Sequence, residues 1–125
     1  IGPEEPVLAA IQMMADKHIG ALPVVRDNEL IGIVSERDYA RKVILMGRSS
    51  SDTPVWQIMS SPVKTVSPDA DVHQCMEIMT EMRIRHLPVM DKNKLVGMIS
   101  IGDLVKAVIE EQQQTITQLE RYIAG

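Results

Sequence analysis

The sequence has no phenylalanine, one tryptophan and two tyrosines, so aliphatic and methionine side chains must form its core. Its one cysteine, Cys75, cannot form an intramolecular disulfide, which favours a reducing compartment, and we expect a cytoplasmic protein. No apolar run approaches the roughly 20 residues of a membrane-spanning helix, and the opening Ile1-Gly2-Pro3 is no signal peptide. These absences predict a protein that has no membrane partner.

A basic surface and a catalytic motif are also missing. The formal net charge of −4 argues against a general nucleic-acid binder. There is no Walker loop, no G-x-G-x-x-G and no Ser-His-Asp or Cys-His pattern in a supporting context. His73 and Cys75 stand two positions apart on a predicted helix and do not share a face, so they make a poor metal pair. We therefore expect no enzyme, no catalytic residue, no metal and no catalytic cofactor.

What the sequence does contain is an internal repeat. Adding 65 to a residue number aligns residues 7–44 with 72–109 without a gap. Such self-similarity indicates one unit used twice, because a single unit cannot bury its apolar face alone. Repeat one is assigned to residues 1–47, a serine-rich linker to 48–59, repeat two to 60–109 and a C-terminal helical extension to 110–125. Identical pairs include Met14/Met79, Leu22/Leu87, Pro23/Pro88, Gly32/Gly97, Ser35/Ser100 and Asp38/Asp103.

Each repeat shows the pattern strand, helix, strand, strand, helix, which predicts an α+β fold. Apolar residues in 6–18 recur with the spacing of an amphipathic helix, and 22–25 and 30–34 are β-branched strands around a polar turn. In repeat two the first strand is predicted at 63–66. Ile1 aligns with Val66, so the first strand of repeat one is expected to be cut short. We expect two pseudo-symmetric β-α-β-β-α repeats packed sheet to sheet, with helices outside.

A Ser-x-x-Asp motif ends the second hairpin strand of each repeat, at Ser35–Asp38 and at Ser100–Asp103. One interpretation is a capping box, in which the serine hydroxyl and the aspartate satisfy free amides at a helix start. The other is a ligand site, because a helix N-terminus attracts anions and a carboxylate one turn on can accept both hydroxyls of a ribose. The residues alone leave both interpretations open.

With these motifs the chain resembles a tandem pair of cystathionine-β-synthase (CBS) domains, also called a Bateman module. The resemblance covers residues 1–109. It rests on Ile19-Gly20-Ala21-Leu22-Pro23-Val24-Val25 and its counterpart Ile84-Arg85-His86-Leu87-Pro88-Val89-Met90, on the hairpins that lead into Gly32–Asp38 and Gly97–Asp103, and on the signature Ile58-Met59, Pro62-Val63, Thr65-Val66 and Pro68-Asp69.

The resemblance implies a regulatory sensor that binds an adenosine derivative, such as AMP, ADP, ATP, S-adenosylmethionine or an NAD-type dinucleotide, in clefts between the repeats. Asp38 and Asp103 would then hold ribose hydroxyls, and Ser35 and Ser100 would lie near phosphate. Residues 19–22 and 84–87 would supply apolar walls and backbone contacts for adenine. The complete expected set is Ile19, Gly20, Ala21, Leu22, Pro23, Val34, Ser35, Arg37, Asp38, Thr65, Ile84, Arg85, His86, Leu87, Pro88, Ile99, Ser100 and Asp103.

The two expected sites differ in their basic residues. Repeat one has Arg37 inside its Ser-x-x-Asp motif, whereas repeat two carries Arg83, Arg85 and His86 where repeat one has His18, Gly20 and Ala21. Arginine suits phosphate because its planar fork makes bidentate, charge-assisted bonds. The alternative is that these arginines only solvate the ends of helices and strands, and that His86 is a structural hydrogen-bond donor.

The extension carries apolar residues at alternating spacings of four and three, with one polar position, which is the pattern of a heptad seam. We expect the seam to pack on its own repeat or on a partner subunit, and we expect a homodimer that acts on an unidentified regulated protein. The rival hypothesis is a structural module whose Ser-x-x-Asp motifs only cap helices. The seam consists of Val105, Ile109, Gln112, Ile116, Leu119 and Ile123.

Overall fold

The structure is a computed structural model that describes residues 1–124, and it has the α+β fold that the sequence predicts. Gly125, the last residue of the predicted extension, lies outside the described part. The chain forms two compact units, unit 1 (Ile1–Lys64) and unit 2, which begins at Thr65. The helices are α1 (Val7–Lys17), α2 (Glu36–Tyr39), α3 (Val72–Met82) and α4 (Ile101–Ala124), and the strands are β1 (Ala21–Arg26), β2 (Glu29–Ser35), β3 (His86–Asp91) and β4 (Lys94–Ser100).

Each unit contains one antiparallel hairpin, β1–β2 in unit 1 and β3–β4 in unit 2. The two hairpins share their register and carry an irregularity at the same position, since Val24 faces Gly32 and Val89 faces Gly97 just before it. Both turns use two residues at positive φ, Asp27-Asn28 and Lys92-Asn93, as tight hairpin turns require. The repeat seen in the sequence is therefore a repeat of backbone geometry.

The predicted first strand is wrong for unit 2, where residues 63–66 contribute one residue rather than a strand. The amide of Val66 donates to the carbonyl of Pro88 (3.1 Å), and the Val66 carbonyl accepts from the amide of Met90 (2.8 Å). Toward the N-terminus the next hydrogen bond would need an amide hydrogen on Pro88, and toward the C-terminus one on Pro68, so the pairing cannot extend beyond Val66 in either direction.

Unit 1 has the same single rung, sixty-five residues earlier. The amino group of Ile1 donates to the carbonyl of Pro23 at 3.1 Å. The amide of Val25 donates back to the carbonyl of Ile1 at 2.9 Å. Ile1 thus occupies the place of Val66, as the 65-residue alignment predicts.

The core of each unit joins one face of the long helix to the hairpin. In α1 the buried residues recur with helical spacing at Val7, Ala10 and Met14, and in α3 they are Cys75 and Met79. Burial raises the pKa of the Cys75 thiol, and the nearby Asp71 carboxylate adds to that shift. Cys75 is therefore an unreactive core thiol. The α1 residues pack with Leu22, Val24, Val34, Val43, Val55 and Ile58, and the α3 residues with Val66, Leu87 and Leu104.

The helix that follows the hairpin of unit 1 changes type after one turn. α2 ends at Tyr39, and Ala40–Ile44 forms a π-helical turn before Gly47, whose φ is +67°. The segment predicted as a linker, 48–59, then packs on unit 1: Val55 and Ile58 are fully buried in its core. Ser60 extends the sheet by exchanging backbone hydrogen bonds of 2.8 and 3.1 Å with Ile33.

The returning segment crowds Gly32, and this predicts a difference between two equivalent glycines. A Cβ on Gly32 would lie 2.5 Å from the Met59 sulfur and 3.2 Å from the carbonyl oxygen of Ser60. Nothing lies within 4 Å of the corresponding position on Gly97. We expect Gly32→Ala to destabilise unit 1 by about 1–3 kcal/mol through overpacking, and Gly97→Ala to change stability by less than about 0.5 kcal/mol.

Denaturant unfolding of both variants measures this difference. Gly97→Ala is the matched control, because the same atom is added at the same place in the repeat. Equal losses of stability in the two variants would show that the contact with Met59 and Ser60 does not constrain position 32.

Candidate functional site

The Ser-x-x-Asp motif of unit 1 forms a complete capping box at the start of α2. The amide of Asp38 donates to the Ser35 hydroxyl oxygen (3.1 Å), and the Ser35 amide donates to the Asp38 carboxylate (2.9 Å). The Ser35 hydroxyl also donates to the same carboxylate oxygen at 2.9 Å. The capping interpretation therefore describes the local geometry correctly. The same hydrogen bonds orient the carboxylate at the helix start.

The motif of unit 2 repeats the arrangement at the start of α4. The Ser100 amide donates to the Asp103 carboxylate at 3.0 Å, and the Asp103 amide donates to the Ser100 hydroxyl at 3.1 Å. Hydrogen bonding from the backbone and the side chain of Ser100 lowers the pKa of Asp103 below its usual value, and the charges of Lys106 and His86 lower it further. Because the folded-state pKa is lowered, the stability that this carboxylate contributes is present above its unfolded pKa and is lost as pH falls through the lowered value.

Each hairpin brings the expected adenine segment to the helix start. The amide of Glu36, the first residue of α2, donates to the Gly20 carbonyl at 3.0 Å, and the amide of Ile101 donates to the Arg85 carbonyl at 2.8 Å. The strand register adds a second link, because Ala21 pairs with Ser35 and His86 with Ser100. Residues 19–23 therefore lie beside 34–38 in unit 1, and 84–88 lie beside 99–103 in unit 2.

Not every expected site residue has a side chain that a ligand can reach. Leu22, Val34 and Leu87 belong to the two cores and are 4% exposed or less, and Ala21 and Pro88 are also buried. These five can offer backbone atoms but little side-chain surface. The other thirteen expected residues are partly or fully exposed: Ile19, Gly20, Pro23, Ser35, Arg37, Asp38, Thr65, Ile84, Arg85, His86, Ile99, Ser100 and Asp103.

Thr65 takes a different position from the other expected residues of unit 2. It directly precedes Val66, which pairs with Val89 in β3. Since β4 pairs with the opposite edge of β3, Thr65 and Ser100 lie on opposite sides of that strand. Among the described residues, no hydrogen bond joins Thr65 to the Ser-x-x-Asp motif.

The two aspartates differ in their surroundings because unit 1 has a lysine beside its aspartate. This lysine, Lys42, is not among the expected site residues. The Lys42 ammonium lies 3.2 Å from the second carboxylate oxygen of Asp38, whose side chain is only 13% exposed. Lys42 also donates to the Ile58 carbonyl at 2.9 Å, which fixes it over the carboxylate. The signal in the sequence was the i, i+4 spacing from Asp38 to Lys42. Position 107, the counterpart in unit 2, is alanine, and Asp103 is exposed.

The basic residues that distinguish the repeats lie near each motif. Arg37 is the second residue of α2 and is exposed, and Arg85 is exposed beside the start of α4. His86 is half-buried, and its charge contributes to the lowered pKa of Asp103. Unit 2 therefore combines a reachable carboxylate with nearby positive charge.

Among residues 1–124, no group of three or more His, Cys, Asp or Glu side chains is arranged to hold a metal ion. In the same part of the chain, no helix is both long and apolar enough to cross a membrane.

The chain belongs to the CBS-domain family. The family model for the CBS domain matches it twice, at residues 1–45 and 55–110, and these segments contain the two hairpins and the two capped aspartates. Proteins with CBS domains are in general regulatory modules that bind adenosine ligands.

Individual relatives support this assignment. The chain is 43% identical over 127 residues to the mitochondrial CBS domain-containing protein CBSX3 of Arabidopsis thaliana, with 98% of this chain and 62% of that protein aligned. It is 33% identical over 104 residues to the CBS domain-containing protein YhcV of Bacillus subtilis, covering 83% of this chain and 74% of that one. This chain thus spans less than two thirds of the Arabidopsis relative.

A solved structure shows the same fold. A protein with CBS domains from Burkholderia ambifaria superposes with a TM-score of 0.85 at 54% identity, over 89% of this chain and 82% of that chain. The tandem CBS pair that the sequence motifs predicted is confirmed by the family matches and by this likeness.

Proposed function

We propose that this chain is a non-enzymatic sensor that binds an adenosine derivative through the carboxylate of its Ser-x-x-Asp motif. The observation that carries the proposal is the exposed Asp103 at the start of α4, whose carboxylate accepts from the Ser100 amide and whose own amide donates to the Ser100 hydroxyl. A carboxylate whose orientation is already fixed loses little entropy when it accepts a ligand's hydroxyl groups. Charge-assisted hydrogen bonds of this kind are roughly twice as strong as neutral ones.

Ribose suits this carboxylate because its two neighbouring hydroxyls can both donate to one aspartate. The pKa of Asp103 is lowered by its hydrogen bonds with Ser100, so the group is an acceptor at neutral pH. Ser100 and Arg85 flank it and provide a hydroxyl and a guanidinium for a phosphate. AMP, ADP, ATP and NAD-type dinucleotides all combine a ribose diol with phosphate, and they form the proposed ligand class.

Unit 2 is proposed as the stronger of the two sites. In unit 1 the ammonium of Lys42 already occupies one oxygen of Asp38, and Ser35 occupies the other. A ribose that binds there has to share or displace these partners, each of which is a net favourable contact. At Asp103 no lysine takes the place of Lys42, because the equivalent residue is Ala107.

A thermal-shift panel tests the function itself. AMP, ADP, ATP, NAD, NADH and S-adenosylmethionine are each added, with adenine and inorganic phosphate as controls that lack the ribose. A ligand at 100 times its dissociation constant stabilises the folded state by about 2.7 kcal/mol, so a true ligand raises the melting temperature clearly. If none of the six does so, the Ser-x-x-Asp motifs are caps only and the chain is a structural module.

Regulation through another protein is the proposed use of this binding. We propose that the chain acts as a homodimer on a partner protein and reports the energy or redox state of its compartment. No catalytic constellation is predicted in the sequence, so a signal has to pass by contact. The cytoplasmic location stays a prediction, since the Arabidopsis relative is a mitochondrial protein.

A further inference from the structure

Helix α4 continues far beyond the CBS repeat and carries an uncovered apolar stripe. It runs from Ile101 to Ala124, longer than any other helix of the described chain. The five apolar residues of the stripe are all exposed: Val105 (44%), Ile109 (60%), Ile116 (48%), Leu119 (57%) and Ile123 (83%). With the polar Gln112 they occupy successive a and d positions of a heptad pattern.

The stripe faces away from unit 2. Leu104, one turn into α4, is buried in the core of that unit, and Glu111 lies 3.9 Å from His73 of α3. Leu104 and Glu111 are seven residues apart, so they share one heptad position. That position lies on the opposite side of the helix from Ile109. Unit 2 therefore packs on one face of α4 and leaves the a and d face open along its whole length.

The stripe is complementary to itself when a second helix runs in the opposite direction. Isoleucine occupies the a positions 109, 116 and 123, and the d positions are Val105, Gln112 and Leu119. Two antiparallel copies centred on residue 114 place every a residue opposite a d residue. Val105 then meets Ile123 of the second copy, and Ile109 meets its Leu119, so four of the six layers are wholly apolar.

The flanking charges favour the same orientation. In a pair of antiparallel helices, e positions lie opposite e positions. In this register Lys106 of each copy faces Glu120 of the other copy, which gives one such pair at each end of the overlap. Parallel helices bring g opposite e, so that Lys106 faces Ile101 and Glu120 faces Thr115, and neither charge meets an opposite one. Charges at e and g set the orientation of helical pairs. This charge complementarity selects a second copy of the chain, reversed, as the occupant of the stripe.

We propose that α4 pairs antiparallel with α4 of a second copy, in a register centred on residue 114. The overlapping segment, residues 105–123, is about 27 Å long. This inference goes beyond the proposed ligand site and does not depend on it, because none of the stripe residues belongs to the Ser-x-x-Asp motif.

A charge-swap cycle tests the register. Sedimentation equilibrium gives the dimer dissociation constant of the full chain and of Lys106→Glu, Glu120→Lys and the double variant, without ligand. Each single reversal replaces two attractions by two repulsions per dimer, and we expect about five- to tenfold weaker association. The double variant restores opposite charges, and its dissociation constant should return to within about threefold of the original value.

The control is Arg121→Glu, at an exposed position outside the e and g sets, which should change association by less than about twofold. Melting temperatures of all variants report whether the monomer is intact. A double variant as weak as the two losses combined would overturn the antiparallel register. A chain that stays monomeric at all concentrations would overturn self-pairing altogether, whatever the ligand panel shows.

Discussion

Replacing Asp103 by asparagine should weaken adenine-nucleotide binding by about 1.5–3 kcal/mol, the contribution of hydrogen bonds to a charged group, which is roughly ten- to 150-fold in affinity. Asparagine keeps one side-chain oxygen that can accept from the Ser100 amide, so much of the cap survives. It loses the negative charge and one of the two acceptors that the ribose diol requires. Stability should fall by less than about 1 kcal/mol, and isothermal titration calorimetry measures the binding.

Asp71→Asn is the matched control for this variant. Asp71 caps α3 in the same unit by accepting from the Gln74 amide at 2.8 Å, and it is not part of the proposed site. We expect a similar small loss of stability and unchanged affinity. If Asp103→Asn instead lowers the melting temperature while each folded molecule binds as before, the carboxylate is only a cap.

Removing everything after Ile109 should abolish dimerisation at micromolar concentration. The truncation deletes Ile116, Leu119 and Ile123, and burying such a side chain contributes roughly 1.5–3 kcal/mol. Unit 2 should keep its fold, because the α4 residues that pack in its core, Leu104 and Ile101, both precede Ile109. Sedimentation velocity over a range of concentrations shows whether the intact chain associates and the shortened one does not.

A point substitution separates loss of the stripe from loss of the helix. Leu119→Asp places a charge on the stripe, whereas Gln118→Asp places the same residue on the neighbouring exposed position with the same helix propensity. We expect only Leu119→Asp to reproduce the truncation. If the shortened chain still dimerises, the stripe belongs to another partner and the dimer forms elsewhere.

Much of this structure was predictable because the same sequence pattern occurs twice in the chain. The hairpins, the two long helices and the capped aspartates all follow from local signals that the 65-residue repeat confirms. The extension was predicted to be helical, and the structure shows it as part of α4, which runs from Ile101 to Ala124. Heptad spacing alone left open whether its stripe packs on its own repeat, and the exposure of Ile109 and Leu119 answers that.

Other features depend on contacts that no local pattern encodes. The strand predicted at residues 63–66 is reduced to Val66 because the adjacent hydrogen bonds would need amide hydrogens on Pro88 and Pro68, which prolines lack. Residues 48–59 look polar enough for a linker, yet Val55 and Ile58 are buried in the core of unit 1. The spacing of Lys42 and Asp38 is visible in the sequence. What it means for the site follows only from the comparison with unit 2, where the equivalent residue is Ala107 and Asp103 has no such lysine.

The most direct test of the proposed function compares ribose with deoxyribose. Calorimetric titrations of the intact chain with AMP and ATP, each beside its 2′-deoxy counterpart, isolate one hydroxyl of the diol. If Asp103 accepts both hydroxyls, the deoxy compound should bind at least about tenfold more weakly than its parent, as expected when a charged acceptor loses a partner. Equal affinity of the two compounds, or no binding of either parent, would contradict the account.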